Sequence, residues 1–190
     1  NIIPDGKSIW TYKEAMVPNT LPKSILVIGS GAIGIEFASF YNDLGVDITV
    51  VEVLDRILPA EDIDISNFAL KSFEKQGIKI KTSSMVKSLK TSKGQVSVQI
   101  ETMAGSEEVS VEKVILAVGI IGNTENLGLE NTSAKVSNGQ LVVDKWGATH
   151  EPGLHAIGDL VGAPWLAHKA SHEGVICVER IAGLENVHPL

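Results

Sequence analysis

Apolar positions in the first third of the chain change their period twice. Ser24–Ile28 is an almost continuous apolar run, which is typical of a strand buried in a parallel sheet. Over residues 33–44 apolar side chains recur at helical spacing, and Gly45 supplies a stop. Residues 47–52 then form a second strand pattern that ends in a carboxylate. The segment therefore predicts one complete strand, turn, helix and strand unit.

The same alternation continues along the chain. A second predicted helix is opened by Asp62 or Asp64 and closed at Gly77, and residues 78–81 begin another strand. Residues 113–119 form a further apolar run that suits a buried parallel strand. Strands that alternate with helices are the mark of a parallel sheet with helices on its faces. The sequence therefore predicts an α/β fold with a Rossmann-like sheet.

Strict alternation of apolar and polar residues predicts an antiparallel β-meander within this region. Residues 96–100 and 108–111 alternate in this way, with turns predicted near residues 93–94 and 104–105. Such a meander has one solvated face.

The two ends of the chain have looser patterns. Residues 1–23 contain Pro and Gly with little periodicity and predict a connector with a short helix near residues 11–16. Towards the C-terminus we predict short strands at residues 141–143 and 153–159, and a helix from about 165 to 182. The predicted segments are 1–23, 24–121 and 122–190.

A glycine-rich turn joins the first predicted strand to the first predicted helix. Gly29 permits the tight turn, Gly31 lets backbone amides approach a phosphate, and Gly34 lets the helix pack closely on the sheet. The helix start adds unpaired amides and the positive end of its dipole. This context predicts a site for the pyrophosphate of a dinucleotide. The residues assigned to it are Gly29, Ser30, Gly31, Ala32, Ile33 and Gly34.

Glu52 ends the second predicted strand, at the offset expected of the acidic residue that binds the adenosine ribose. Its carboxylate would repel a 2′-phosphate, which favours NAD(H) over NADP(H). Arg56 lies nearby and could serve a 2′-phosphate, so NADP(H) stays open as an alternative. The other interpretation of Glu52 is a solvated charge at the end of a strand.

Composition narrows the class of protein. The chain has 190 residues, of which 44% are hydrophobic and 21% charged, and a formal net charge of −7. These values indicate a globular protein and argue against binding to nucleic acid or to anionic membranes.

The single cysteine of the chain, Cys177, cannot form an intramolecular disulfide, and a small buried residue in a helix is the favoured interpretation. The spacing of His168 and His172 would suit a metal pair, but no third ligand is placed by spacing, and we predict no metal site.

The C-terminal part of the chain carries a second motif that ends in Gly-Asp. With this motif, the chain resembles the pyridine nucleotide-disulfide oxidoreductase family of flavoproteins. The second flavin signature of that family consists of Thr, apolar positions, Ala, Gly and Asp in this order. The resemblance implies that Asp159 binds the ribitol of FAD, and that residues 122–190 are the C-terminal segment of a FAD-binding domain. The matching positions are Thr149, Leu154, His155, Ala156, Ile157, Gly158 and Asp159.

Within the family, residues 126–130 and 166–170 are most similar to the members that oxidise dihydrolipoamide. The resemblance implies hydride transfer from FAD to NAD⁺, lipoyl domains of a 2-oxo acid dehydrogenase complex as partners, and a homodimer in the cytoplasm or the mitochondrial matrix. A disulfide reductase of the glutathione or mercuric type, and a module that binds NAD(H) without catalysis, are the alternatives. The further cofactor-contacting residues that it implies are Glu36, Gly119, Leu166, Ala167 and His168.

The chain also departs from the family pattern. Many members carry Arg, a variable residue and Pro where this chain has Ile120, Ile121 and Gly122. The family's redox-active cysteine pair precedes the matching region, and its His-Glu base follows that region. We therefore expect this chain to correspond to the middle of a member, with no catalytic residue of its own. For Glu36, a first-turn acid that complements the helix dipole is the alternative interpretation.

Overall fold

The computed structural model describes residues 2–190, which fold into two compact units that divide between Gly119 and Ile120. The strands are β1 (Ile9–Trp10), β2 (Ser24–Ile28), β3 (Asp47–Val51), β4 (Lys79–Lys81), β5 (Met85–Ser92), β6 (Gln95–Thr102), β7 (Gly105–Val111), β8 (Lys113–Leu116), β9 (Val136–Ser137) and β10 (Gln140–Leu141). The helices are α1 (Tyr12–Met16), α2 (Ala32–Asp43), α3 (Ile63–Lys75) and α4 (Ala167–Ile181), with 3₁₀ turns at Leu129–Asn131 and Gly158–Val161.

A five-stranded parallel sheet is the centre of the first unit, in the order β1-β8-β2-β3-β4. Strand β2 lies between β8 and β3, with Ile25 opposite both Lys113 and Ile48. Nearly every residue of β2 and β3 is buried, because helices and the meander cover both faces of the sheet. The predicted α/β fold with a parallel sheet is confirmed.

Strand β1, which lies within the connector predicted at residues 1–23, contributes to this sheet. Strand β1 pairs in parallel with β8, with Ile9 opposite Val114. Two residues are too few for an alternating pattern to be recognised. The predicted short helix is present as α1, which begins with a capping box between Thr11 and Glu14.

The predicted helices of the first unit are confirmed. Helix α2 begins at the glycine turn and ends before Gly45, whose φ of +85° suits glycine. The amide of Asp64 donates to Asp62, which is therefore the N-cap of α3.

The antiparallel meander is also confirmed, with β6 paired to β5 and β7. Val96, Val98 and Ile100 are buried and pack in one cluster with Leu26 and Ile28 of β2. The alternate side chains of β6 face solvent, as the alternating pattern requires.

The second unit contains less regular structure than predicted. Residues 153–159 do not form a strand, because their only ladder contact in residues 2–190 is an isolated bridge from His155 to Ala148. The predicted strand at 141–143 is reduced to the end of a two-strand hairpin. Helix α4 is present within two residues of its predicted bounds, and Cys177 is buried on it.

Tyr41 provides a test of the packing that fixes α2. Its side chain is fully buried, and its hydroxyl donates to the carbonyl of Ala15 at 2.6 Å. Burial raises the pKa of the phenol, so it stays a donor at neutral pH. We expect Tyr41→Phe to lower the free energy of unfolding by about 1–2 kcal/mol, because it leaves a buried carbonyl without its donor. Urea unfolding measures this loss, and an unchanged midpoint would contradict the role given to the hydroxyl.

Candidate functional site

The glycine turn between β2 and α2 requires glycine at two positions for steric reasons. Gly29 has a φ of +98°, and a Cβ there would overlap the carbonyl oxygen of Ala117. A Cβ at Gly34 would overlap the carbonyl oxygen of Gly29. The positive φ of Gly29 suits the tight turn, and the tight contact at Gly34 suits the close helix packing, that the sequence predicted for them. The close approach of Gly29 to Ala117, beyond the end of β8, was not predicted.

Gly31 differs from the other two glycines of the turn. Its φ is −64°, and within residues 2–190 no atom lies within 4 Å of a Cβ placed on it. Packing inside the protein therefore does not explain glycine at this position. Open space beside the backbone is what a phosphate group would need to approach the amides.

The start of α2 offers unpaired amides beside this space. Gly31 is the N-cap, and no side chain in the described part of the chain caps the helix. Ala32 is exposed and Ile33 is half-buried, so both lie near the surface. A helix start without a side-chain cap can give its amides to an anion.

Ser30, in contrast to Ala32 and Ile33, is completely buried. Its amide and its Oγ donate to Oε2 of Glu52, at 2.9 and 2.6 Å. Its amide is therefore directed to Glu52, whereas Ala32 and Ile33 of the helix start lie near the surface.

The structure brings Glu52 directly against the glycine turn. Its side chain follows β3, is 6% exposed, and also accepts a hydrogen bond from the amide of Leu54 at 2.9 Å. The interpretation of Glu52 as a solvated charge is therefore wrong. A buried carboxylate with three donors is held in one orientation at the end of β3, beside the start of α2.

Arg56 is bound within its own loop. Its Nη2 donates to the carbonyl of Pro59 at 3.1 Å. This bond uses one of the five N–H donors of the guanidinium, and Nε is buried without a hydrogen-bond partner among the described residues, so Arg56 stays a candidate for a 2′-phosphate contact.

Two other predicted residues lie at separate places in the first unit. Glu36 is exposed in the second turn of α2, so its interpretation as a first-turn acid is wrong. Gly119 is exposed beyond the end of β8 and has a φ of +126°. Both lie towards the carboxyl edge of the parallel sheet, where ligands of open α/β sheets bind.

In the second unit, Asp159 is exposed on the 3₁₀ turn Gly158–Val161. Glycines with positive φ flank this turn, at +73° for Gly158 and +108° for Gly162. The backbone thus makes a sharp bend that directs the aspartate outward.

Lys169 and Glu173 hold this turn from helix α4, a role that the sequence reasoning missed. Lys169 Nζ donates to the carbonyls of Gly158 and Gly162 at 3.2 and 2.9 Å and lies 3.1 Å from Glu173 Oε1. The amide of Gly158 donates to Glu173 Oε2 at 2.7 Å. The only sequence signal was a Lys and a Glu four residues apart on one helix face.

The hairpin before the turn is also closed by side chains. Thr149 Oγ1 donates to the carbonyl of Leu154 at 2.9 Å. Hydrogen bonds from the amide and the hydroxyl of Ser133 hold the pKa of the Glu151 carboxyl below its usual range. Thr149 of the flavin signature therefore has a structural contact within this unit.

The start of α4 presents Leu166, Ala167 and His168 to solvent, with no side-chain cap among the described residues. His168 and His172 are both exposed. Across residues 2–190, no group of three His, Cys, Asp or Glu side chains could hold a metal ion.

Gly122 explains part of the departure from the family pattern. A Cβ there would lie 2.6 Å from the carbonyl oxygen of Gly139. The proline that many members carry at this position would not fit the backbone of this chain.

None of the helices in residues 2–190 has the length and apolar run needed to cross a bilayer.

Comparison with known proteins agrees with this geometry. Residues 4–174 match the model of the pyridine nucleotide-disulphide oxidoreductase family. The chain therefore belongs to this family of flavoprotein oxidoreductases.

Curated relatives carry a more specific name. The dihydrolipoyl dehydrogenase of Rhizobium etli is 54% identical over 189 residues, which are 99% of this chain and 39% of the relative. The dihydrolipoyl dehydrogenase of Bacillus subtilis is 43% identical over 98% of this chain and 40% of the relative. The chain thus spans about two fifths of the length of these relatives.

Solved structures share the fold over the same region. LpdA of Mycobacterium tuberculosis has a TM-score of 0.87 and 31% identity, covering 100% of this chain and 42% of LpdA. The HOCl-induced flavoprotein disulfide reductase RclA of Escherichia coli has a TM-score of 0.85 and 25% identity, covering 97% of this chain and 43% of RclA.

Proposed function

We propose that this chain is the NAD(H)-binding portion, with part of the FAD-binding portion, of an enzyme that oxidises dihydrolipoamide. The observation that carries the proposal is the open glycine turn at Gly31 beside the buried carboxylate of Glu52. The names of the relatives support dihydrolipoamide as the substrate of the whole enzyme.

The residues of the first unit act by positioning. The amides of Ala32 and Ile33 bind the pyrophosphate of NAD(H), while Gly31 leaves room for it. Glu52 accepts a hydrogen bond from the adenosine ribose. Glu36 and Gly119 lie towards the nicotinamide end. Reduced FAD would supply the hydride that reduces NAD⁺, with dihydrolipoamide as the source of the two electrons in the whole enzyme.

In the second unit, Asp159 binds the ribitol of FAD through its exposed carboxylate. The start of α4, at Leu166, Ala167 and His168, lies near the flavin ring and offers its positive dipole end to negative charge there.

We assign no catalytic residue to this chain. The partners of the whole enzyme are the lipoyl domains of a 2-oxo acid dehydrogenase complex and a second copy of itself. The relatives named above are bacterial, which favours a cytoplasmic location.

Two other functions are distinguishable. The similarity to RclA favours a different disulfide reductase of the same family as second candidate, which would share the NAD(P)H site and differ in substrate. A module that binds NAD(H) without catalysis is less favoured, because it would not need Asp159 on an exposed, clamped turn.

The 190-residue chain is expected to bind NADH with a Kd between about 1 μM and 1 mM, with little FAD and no lipoamide turnover. Glu52→Arg should weaken NADH binding more than tenfold and remove the preference over NADPH, because the acceptor of the ribose hydroxyl is replaced by a cation. Fluorescence titration with both nucleotides measures the two constants.

Glu52→Gln is the matched control for size, since it keeps the side-chain length and an oxygen acceptor. Unchanged discrimination in Glu52→Arg would contradict the role of Glu52. A purified chain that is yellow and turns over lipoamide would contradict the assignment of catalysis to residues outside it.

A further inference from the structure

We propose that the hydroxyl of Ser30 strengthens the nucleotide specificity of this site by helping to hold the carboxylate of Glu52 in one orientation. The proposal rests on the proposed function, because it requires that Glu52 faces the adenosine ribose. It gives Ser30 a positioning role that differs from the phosphate contact predicted for the glycine turn.

Ser30 is tied to the loop after β3 by all of its polar groups. Its amide and Oγ donate to Glu52 Oε2 at 2.9 and 2.6 Å, and its carbonyl accepts from the amide of Leu58 at 2.9 Å. Leu58 has a φ of +46°, in the left-handed region that leucine rarely adopts. Ser30 therefore joins the phosphate-binding turn to the loop that carries the ribose-binding carboxylate.

These contacts leave Glu52 with little acceptor capacity. Of the roughly four lone-pair positions of a carboxylate, hydrogen bonds within residues 2–190 use two on Oε2 and one, from Leu54, on Oε1. One position on Oε1 stays open. A ribose hydroxyl is thus offered a single acceptor whose direction is already set.

The same restraint strengthens the rejection of NADP(H). A mobile glutamate could rotate away from a 2′-phosphate and lower the repulsion. Glu52 is 6% exposed and bound at both oxygens, so rotation is opposed and water screens its charge only weakly. Specificity then depends on the rigidity of the carboxylate as well as on its charge.

Ser30→Ala separates these two properties. It removes the Oγ hydrogen bond, while the amide of residue 30 still donates to Oε2. One backbone amide then remains on each oxygen of Glu52, in place of three donors in all. The carboxylate keeps its charge and its acceptor for the ribose but is held less tightly. NADH binding should therefore change little, while NADPH binding should improve.

The experiment is fluorescence titration of the 190-residue chain with NADH and with NADPH. We expect Ser30→Ala to lower the ratio of the NADPH Kd to the NADH Kd by about five- to tenfold, within the range of one typical hydrogen bond. Ser30→Cys keeps the shape of the side chain, with a larger sulfur atom that is only a weak donor, and should follow Ser30→Ala. Ser30→Thr keeps the hydroxyl and should retain the wild-type ratio.

Ser66→Ala is the matched control. Ser66 is 1% exposed, and its Oγ donates to the carbonyl of Leu58 at 3.1 Å, so it anchors the same loop without touching Glu52. Its ratio should equal that of the wild type. An unchanged ratio in Ser30→Ala and Ser30→Cys, or an equal fall in Ser66→Ala, would overturn the proposal. Wild-type protein that fails to bind NADH would instead overturn the proposed function, and this proposal with it.

Discussion

Gly34→Ala is expected to destroy the fold of the first unit and its NADH binding together. The new Cβ would overlap the carbonyl oxygen of Gly29 and lie 3.3 Å from Cβ of Ala117. Both neighbours belong to the buried junction of β2, β8 and α2, so neither can move without displacing a strand. We expect the free energy of unfolding to fall by about 3 kcal/mol or more, the upper end of the usual range of overpacking. Urea unfolding followed by circular dichroism measures this.

Gly31→Ala is the control within the same motif. Its φ of −64° is allowed for alanine, and no described atom lies within 4 Å of the new Cβ. The free energy of unfolding should stay within about 1 kcal/mol of the wild type, the usual range for an N-cap change. NADH affinity should nevertheless fall more than tenfold, because the methyl group occupies the space proposed for the pyrophosphate.

Comparing Gly34→Ala with Gly31→Ala separates the effect of packing on stability from the effect of the glycine turn on NADH affinity. Wild-type NADH affinity in Gly31→Ala would show that the phosphates do not approach this glycine. Wild-type stability in Gly34→Ala would show that α2 can move away from the sheet, against the close approach described above.

Lys169→Met is the second variant with a large expected effect. Lys169 and Glu173 are only 12% and 23% exposed, and the ammonium supports two carbonyls as well as the carboxylate. Methionine keeps the apolar stem but leaves a partly buried Glu173 without its cation. Breaking a fully buried pair costs about 3–5 kcal/mol, and because both side chains here are partly exposed we expect about 2–3 kcal/mol. Hydrogen exchange at the Gly158 amide and along α4 should accelerate accordingly.

Lys79→Met provides the matched exposed ion pair. Lys79 lies 2.8 Å from Asp47, with side chains 60% and 56% exposed. Its loss should cost less than about 1 kcal/mol, because water screens such pairs. If hydrogen exchange at the Gly158 amide were equally fast in the two lysine variants, the Gly158–Val161 turn would not depend on the contacts that Lys169 makes from α4.

The glycine turn and the parallel sheet could be predicted because their signals are local. The run Ser24–Ile28, the glycine spacing and the stop at Gly45 each encode a backbone conformation within a few residues. The strand predicted at residues 153–159 was wrong because a strand also needs a partner. Apolar residues alone do not provide one.

The hydrogen bonds that join residues within each candidate site could not be predicted from the sequence. Ser30 and Glu52 are separated by an entire helix and strand, and a sequence pattern does not show which acceptors a carboxylate uses. Lys169 and Glu173 are close in sequence, but their contact with Gly158 depends on how the turn packs against α4. The residue types were visible, whereas their hydrogen-bond partners required the tertiary structure.

The pairing of β1 with β8 sets an order for folding. Ile9 lies opposite Val114. Pairing of the two strands therefore closes a loop that contains nearly all of the sequence of the first unit. The pair β2 and β3 needs only the intervening helix, and its loop-closure entropy is much smaller. During synthesis the βαβ segment with the glycine turn can therefore assemble early. The outer part of the sheet must wait until Leu116 has left the ribosome, and until then one edge of β2 is open to pairing with other chains.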